Sequence, residues 1–298
     1  MGLSRLGGTA PGRVGVFAGS LGLQPAAVQR EVAAEMERLG YGTLWYGESI
    51  GRETFVQAAI FLAATSKLVI ASGIANIWAR DPMAMAAGGR SLAEAWPARF
   101  ILGLGVSHAP MVAGRGHRYD RPLTAMRVYV EQMREAPWRG PEVELPPIVL
   151  AALGPRMVAL AWEAAAGAYP YFTTVDHVGS VREQLGSEPF LAADLPVVLA
   201  PDRAAARAIG DRHTSIYLQT ENYRNNLIRL GWSEEDLEPP GSDALFDAIV
   251  AWGGPEQVGE RMRALFQAGA DQVVLNLVTA NPRVPYLEEL RTLAPVAV

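Results

Sequence analysis

The chain has 298 residues, of which 50% are hydrophobic and 19% are charged; its formal net charge is −5 and it contains no cysteine. This composition excludes a globally disordered chain, a disulfide scaffold and cysteine-ligated metal centres, and no basic stripe typical of nucleic-acid binding is present. The longest uncharged run, residues 14–29, is broken by glycine and proline and is too short to span a membrane. Residues 1–12 lack the apolar segment of a signal peptide. We therefore expect a cytoplasmic protein that binds neither nucleic acid nor membrane.

The first part of the chain predicts strands and helices in alternation. Pro25 opens a helix whose apolar residues Val28, Val32 and Met36 recur at helical spacing, and Gly40 ends it. The nearly all-apolar segment Thr54–Thr65 predicts a buried helix, and Asp81 followed by Pro82 predicts a helix start, with the helix running through Glu94. The short apolar runs between these helices predict four strands, namely Val14–Phe17, Thr43–Tyr46, Leu68–Ile74 and Arg99–Leu104.

The second part continues the alternation with one interruption. Helices are predicted from Asp120 and Pro122, over Arg156–Ala165, over Asp202–Arg212 and from Pro255. Residues 213–254 are predicted to be irregular, with helical pieces around Glu221–Leu230 and Asp243–Ala251. The predicted strands are Ile148–Ala152, Tyr169–Phe172, Pro196–Ala200 and Gln272–Leu277.

Eight strand–helix units in a chain of this length favour an α/β fold, a (β/α)8 TIM barrel. Glycine recurs in the helix-to-strand turns, at Gly40, Gly167 and Gly269, where it suits the helix C-terminus. A doubly wound sheet is the alternative, but no GxGxxG follows the first strand and no P-loop is present. No linker divides the chain, so we expect one domain over residues 1–298 with an insertion at about 213–254, before the C-terminal strand.

The active site of such a barrel lies where the strands end. The four histidines lack HxH or HExxH spacing, so no metal site is predicted. Ser20 and Ser107 lack a G-x-S-x-G elbow, and paired carboxylates for glycoside cleavage are not evident. The strand ends offer instead small residues and hydroxyls that suit a large flat ligand approached by backbone, namely Gly73, Gly105, Ser107, Gly154, Thr173 and Thr174.

Gly154, Pro155 and Arg156 open the helix after the fifth predicted strand. Free N–H groups and the helix dipole favour an anion at such a position, and Arg156 would add a charged donor. The segment therefore predicts a phosphate-binding site. The alternative is that Gly154 and Pro155 only make a tight turn between strand and helix.

Two stretches, Gly73–Pro82 and Phe100–His108, resemble the bacterial luciferase-like superfamily. The stretches Glu37–Trp45 and Gly269–Leu275 belong to the same pattern. Within the superfamily, the chain looks like the coenzyme F420-dependent oxidoreductases of actinobacterial type. The resemblance extends from Arg13 to about Leu293.

The resemblance implies a barrel with F420, or alternatively FMN, lying across the strand ends. It implies a cis peptide between Gly73 and Ile74 behind the ring, the alternative being a trans β-bulge. It implies a phosphate near Gly154–Arg156 and Thr173–Thr174, and a homodimer is possible because relatives often dimerise. The expected cofactor-binding residues are Gly73, Ile74, Ala75, Asn76, Gly105, Val106, Ser107, Gly154, Pro155, Arg156, Thr173 and Thr174.

The resemblance also suggests catalytic residues. Glu48 falls where relatives carry an acidic residue at the cofactor pocket, and Ser49 falls where some relatives carry a histidine that handles a substrate proton. Because that histidine is absent, His108 is the expected acid or base, with Glu48 close to the ring. The alternative for His108 is a loop residue that hydrogen-bonds a backbone carbonyl.

Three functions are carried forward from the sequence. The first is hydride transfer between F420 and a small organic substrate. The second is an FMN-dependent monooxygenase of the same superfamily, which would consume oxygen. The third is a cofactor-free binding protein on the same barrel, against which the glycines and hydroxyls at the strand ends argue.

Overall fold

The computed structural model describes residues 4–297, so the first three residues of the segment predicted to lack a signal sequence lie outside it. Within this range the chain alternates strands and helices as predicted. The strands are β1 (Val14–Phe17), β2 (Thr43–Tyr46), β3 (Val69–Ser72), β4 (Ala75–Asn76), β5 (Phe100–Gly105), β6 (Ile148–Leu150), β7 (Gly167–Ala168), β8 (Phe190–Leu199), β9 (Ala251–Gly253) and β10 (Gln272–Leu277).

The strands are parallel and close into a barrel. From β1 the neighbours run through β2, β3, β5, β6, β7 and β8, and β10 pairs with both β8 and β1. The short β4 follows β3 and pairs with the end of β5, and β9 pairs with the last residues of β8. Within residues 4–297, eight strands thus form the closed ring, and the predicted (β/α)8 barrel is confirmed.

Helices surround the barrel, and their starts follow ordinary capping chemistry. The side chain of Asp81 accepts from the N–H of Ala84, and that of Asp202 accepts from Ala205, both at 2.9 Å. No helix among the described residues is long and apolar enough to cross a membrane. The helices are α1 (Ala26–Arg38), α2 (Thr54–Leu62), α3 (Pro82–Ala95), α4 (Ala109–Ala113), α5 (Pro122–Glu135), α6 (Pro155–Ala164), α7 (Val175–Leu185), α8 (Arg203–Leu218), α9 (Glu221–Arg229), α10 (Asp243–Ile249), α11 (Pro255–Gln267) and α12 (Leu287–Ala297).

The interior of the barrel is packed with side chains rather than open. Trp45 is fully buried, and its indole N–H donates to Oε1 of Gln272 at 2.7 Å. The amide of Gln272 donates in turn to the hydroxyl of Thr43 at 3.0 Å. This packing fills the barrel below the strand ends, so the space for a ligand lies at the C-terminal mouth.

The prediction of a strand over Tyr169–Phe172 is wrong, because β7 ends at Ala168. Pro170 has no N–H to offer a neighbouring strand, and Phe172 adopts a positive φ of 52°. Asp194 on β8 holds the turn: its N–H donates to Pro170 O at 3.3 Å, and its carboxyl accepts from Phe172 N at 3.3 Å. The apolar run is therefore a loop at the barrel mouth.

Other boundaries also differ from the prediction. Strand β8 begins at Phe190 and not at Pro196. The sequence did not indicate a strand before Pro196, because Asp194 and Pro196 interrupt the apolar pattern of the segment. Helix α8 continues past Arg212 to Leu218. The chain at Ala251 starts β9 instead of ending a helix. The segment predicted as irregular is thus largely regular.

Asp194 makes a pH-dependent contribution to stability. The residue is 1% exposed, and burial raises the pKa of its carboxyl from 3.8 to about 8. The folded protein therefore keeps a proton that the unfolded chain releases above about pH 4, so the stability contributed by this group falls as the pH rises towards about 8.

Asp194→Asn is expected to remove this pH dependence. Asparagine keeps an acceptor for Phe172 N and stays neutral, so the variant should gain about 1.4 kcal/mol of unfolding free energy per pH unit over its parent between about pH 5 and 8. Urea denaturation of both proteins at several pH values measures the difference. A difference that stays constant with pH would contradict a neutral buried carboxyl.

Candidate active site

Two adjoining cavities form one groove across the barrel mouth. The first, of about 370 Å³, lies over Gly47, Glu48 and Gly73. The second, of about 220 Å³, reaches Gly154 at the start of α6. The cavities are continuous because they share the lining residues Ile74, Ser107, His108, Ala151, Tyr169, Tyr171 and Tyr223.

The floor of the groove is backbone from β3 to β5. The peptide bond between Gly73 and Ile74 is cis, which confirms the expectation at this position. Ile74 O accepts from Glu48 N at 3.0 Å, which joins this segment to the end of β2. A side chain on Gly105 would meet Ile74, since a Cβ there would lie 2.4 Å from Ile74 Cγ1. The side chain of Ile74 therefore occupies the space that a Cβ at position 105 would need.

Glu48 is buried beside the groove and its carboxylate is fully engaged. Oε2 accepts from Arg80 Nη1 at 3.0 Å and from Asn76 N at 2.9 Å. Oε1 accepts from Arg80 Nη2 and, at 3.2 Å, from Thr54 N. The carboxylate thus ties the chain after β2 to the segment that carries the floor.

His108 lines both cavities, and its Nδ1 is hydrogen-bonded whereas its Nε2 has no partner among the described residues. Its Nδ1 lies 3.2 Å from Oδ1 of Asn222, which is an acceptor, so Nδ1 carries the hydrogen. No residue among 4–297 hydrogen-bonds its Nε2. Burial lowers the pKa of His108 below 6.5, while the bond to Asn222 opposes the shift. Near neutral pH the ring is therefore a neutral imidazole that is able to accept a proton.

Of the residues predicted to bind the phosphate, only Gly154 lines the far end of the groove. Gly154 lines the second cavity, whereas Pro155 and Arg156 are exposed on the first turn of α6 and do not line it. Thr174 accepts from His177 N at 3.3 Å, and the hydroxyl of Thr173 bonds His177 Nδ1. Both threonine hydroxyls are buried and already partnered.

Of the other residues predicted to bind the cofactor, some line the groove and others do not. Gly73, Ile74, Gly105, Val106 and Ser107 line the groove. Ala75 and Asn76 are fully buried beneath it and do not line it. Ser107 has a positive φ of 59°, an uncommon conformation that often marks functional loops.

Sequence reasoning did not assign Asn222 or Arg229 to the site, and both lie on α9. Arg229 lies beside the start of α6, since a Cβ on Gly154 would be 3.7 Å from its Nη1. Asn222 bonds His108, and Tyr223 lines both cavities. No local motif marks these residues; their helix returns to the barrel mouth from the segment predicted as irregular.

The chain is similar to known proteins over most of its length. A family model described as luciferase-like monooxygenase matches residues 5–272. A Mycobacterium tuberculosis protein provisionally named a coenzyme F420-dependent oxidoreductase is 26% identical, covering 90% of this chain and 96% of its own length.

Two solved structures share the fold at low identity. The coenzyme F420-dependent tetrahydromethanopterin reductase of Methanopyrus kandleri has a TM-score of 0.72 at 16% identity and covers 95% of this chain and 97% of its own. A type II Baeyer–Villiger monooxygenase of Pseudomonas putida, solved with FMN, has a TM-score of 0.71 at 14% identity, and the match covers 97% of each chain.

Proposed function

The chain belongs to the luciferase-like monooxygenase family, and from this premise we propose that it is an oxidoreductase that transfers a hydride between coenzyme F420 and a small organic substrate. The observation that carries the proposal is the groove, with its backbone floor at Gly73 and Ile74, the helix start at Gly154 and the open imidazole of His108. FMN is the alternative cofactor, because it also combines a flat tricyclic ring with a phosphate.

The described residues fit such a cofactor. A flat ring would lie on the Gly73–Ile74 backbone, where glycines permit close approach. The cofactor's side chain, which leads to its phosphate, would follow Val106 and Ser107. The N–H groups of Gly154 and Arg156 at the start of α6 would bind the phosphate, because Pro155 has no N–H, and Arg229 would supply positive charge beside them. The tyrosines at 169, 171 and 223 would limit access of water from the sides.

The chain's own residues would position the ring and move one proton. When bound, the deazaflavin or flavin supplies the hydride chemistry. Nε2 of His108 would take the proton from a substrate hydroxyl during oxidation, or return it during reduction. Because the carboxylate of Glu48 is already bonded to four N–H groups, we assign it the role of holding the floor in place.

Ligand binding and oxygen uptake together test this function. Thermal unfolding with F420, FMN, NADPH and no ligand should show stabilisation by F420, of about 2.7 kcal/mol at a hundredfold excess over its dissociation constant. Oxidation of F420H2 by a ketone or enone, which accepts the hydride, should then proceed without oxygen uptake. Oxygen uptake with reduced FMN would favour the monooxygenase, and binding of neither cofactor would favour the cofactor-free protein.

The phosphate assignment gives a separate prediction. Arg229→Met should weaken F420 or FMN binding by about 1.5–3 kcal/mol, because a charge-assisted hydrogen bond is lost. Fluorescence titration measures the dissociation constant. Arg156→Met, which changes the exposed arginine on the first turn of α6, is the matched comparison. If only Arg156→Met weakens binding, Arg156 and not Arg229 supplies the charged donor to the phosphate, as the sequence predicted.

A further inference from the structure

A second cleft, named the α8 cleft, adjoins the groove to which the cofactor is assigned. It has a volume of about 380 Å³ and lies between α8 and the chain that follows β10. Phe17, Gly19, Tyr171 and Tyr217 line both this cleft and the first cavity of the groove. A molecule in the α8 cleft would therefore meet a molecule in the groove at these residues.

The walls of the α8 cleft combine apolar side chains with polar ones. One side is formed by α8 and the other by the end of β10 with the following loop, and the apolar lining residues are Phe17, Ala208, Ile209, Ile216, Leu277, Val278, Ala280 and Pro282. Its volume is within the range of cavities that bind small organic ligands. The cleft thus suits a compact ring compound of about two fused rings.

The boundary with the groove carries an ordered hydrogen-bond chain. The side-chain amide of Asn276 donates to the hydroxyl of Tyr171 at 2.7 Å, and the hydroxyls of Tyr171 and Tyr217 are 2.8 Å apart. When Tyr171 donates to Tyr217, the hydrogen of Tyr217 is free for a ligand. Burial raises the pKa of Tyr217 to about 12, so the hydroxyl stays protonated and remains a donor.

The charge of the α8 cleft is positive. Arg212 is the one formally charged side chain among the described residues that line it, and within 4–297 it forms no ion pair. His213 also lines the cleft, and burial lowers its pKa to about 4, so its ring is neutral near pH 7. Its enclosed Nε2 has no hydrogen-bond partner among the described residues. No carboxylate offsets Arg212 along the lining.

We propose that the α8 cleft binds the organic substrate and selects an apolar ring compound that carries a carboxylate. The carboxylate would pair with Arg212 at the rim, the rings would pack against α8, and the reacting end would point to Tyr171 and Tyr217. The selection for a carboxylate follows from the cleft alone. Its description as a substrate site rests on the proposed function.

Three probes of one shape test the charge selection. Calorimetric titration of the full chain, without cofactor and at low salt, would compare 2-naphthoate, 2-naphthylmethanol and 2-naphthylmethylammonium. We expect 2-naphthoate to bind about tenfold more tightly than the neutral alcohol, and the ammonium to bind least. Arg212→Gln should remove this preference and leave affinity for the alcohol unchanged. Arg30→Gln, which changes an exposed arginine on α1, should leave all three affinities unchanged.

A filled cleft tests the location. Ala208→Trp places a large ring against the lining and should abolish binding of all three probes. Equal affinities for the probes, an unchanged preference in Arg212→Gln, or naphthoate binding that survives Ala208→Trp would each overturn the proposal. Titration of the same proteins with F420 and FMN keeps the two proposals separate. Loss of cofactor binding alone would overturn the proposed function, whereas loss of the naphthoate preference alone would overturn the assignment of the cleft.

Discussion

Glu48→Gln is expected to destabilise the protein by about 3 kcal/mol, because it leaves the buried guanidinium of Arg80 without its principal counter-charge. The side chains of Glu48 and Arg80 are only 4% and 11% exposed. The same substitution weakens the bonds to Asn76 N and Thr54 N, which hold the loop ends at the groove. Chemical denaturation of both proteins at neutral pH measures the difference in unfolding free energy.

The neighbouring Glu53 provides a matched control. It lies 3.0 Å from Arg80, but its side chain is 44% exposed, so Glu53→Gln should cost about 1 kcal/mol or less. The double variant Glu48→Gln with Arg80→Met removes both buried charges and should recover part of the loss. Equal costs for Glu48→Gln and Glu53→Gln would show that the buried pair does not anchor the floor.

Local sequence patterns predicted the barrel well where a segment's own residues decide its structure. Strands β1 and β2 match the predicted bounds. A short apolar run between glycines is too short for a helix and is typical of a buried strand. The N-cap at Asp81 is confirmed for the same reason, because Pro82 and the aspartate act within one turn. The location of the site at the strand ends then follows from the fold.

Long-range contacts explain what the sequence did not predict. Tyr169–Phe172 has the composition of a strand, but Asp194 on the next strand bonds Pro170 and Phe172 and holds them as a loop. Arg229 reaches Gly154 only because α9 folds back over the barrel mouth. Pairings between distant segments leave no local periodicity, so neither contact was visible in the sequence.

His108 connects the geometry of the groove to a measurable rate. Its Nδ1 is fixed by Asn222, and burial keeps its pKa below 6.5, so the base form is already present near neutral pH. The fraction of neutral ring rises with pH through that lowered pKa. We therefore expect kcat/KM for substrate oxidation to rise with pH and to level off above this lowered pKa, and kcat/KM for the reverse reduction to fall over the same range.

His108→Ala is expected to lower turnover by about 10²–10⁴-fold, the usual contribution of a general acid or base, while leaving cofactor affinity unchanged. Reduction of a ketone or enone by F420H2 measures turnover, and cofactor titration measures affinity. His117→Ala, which changes an exposed histidine in the loop after α4, is the control and should retain activity. His108→Ala should also lose the pH dependence assigned to the imidazole of His108. If turnover stays within a few-fold of the parent and the pH profile is unchanged, His108 serves only to hold Asn222 and α9, and water or Glu48 must move the proton.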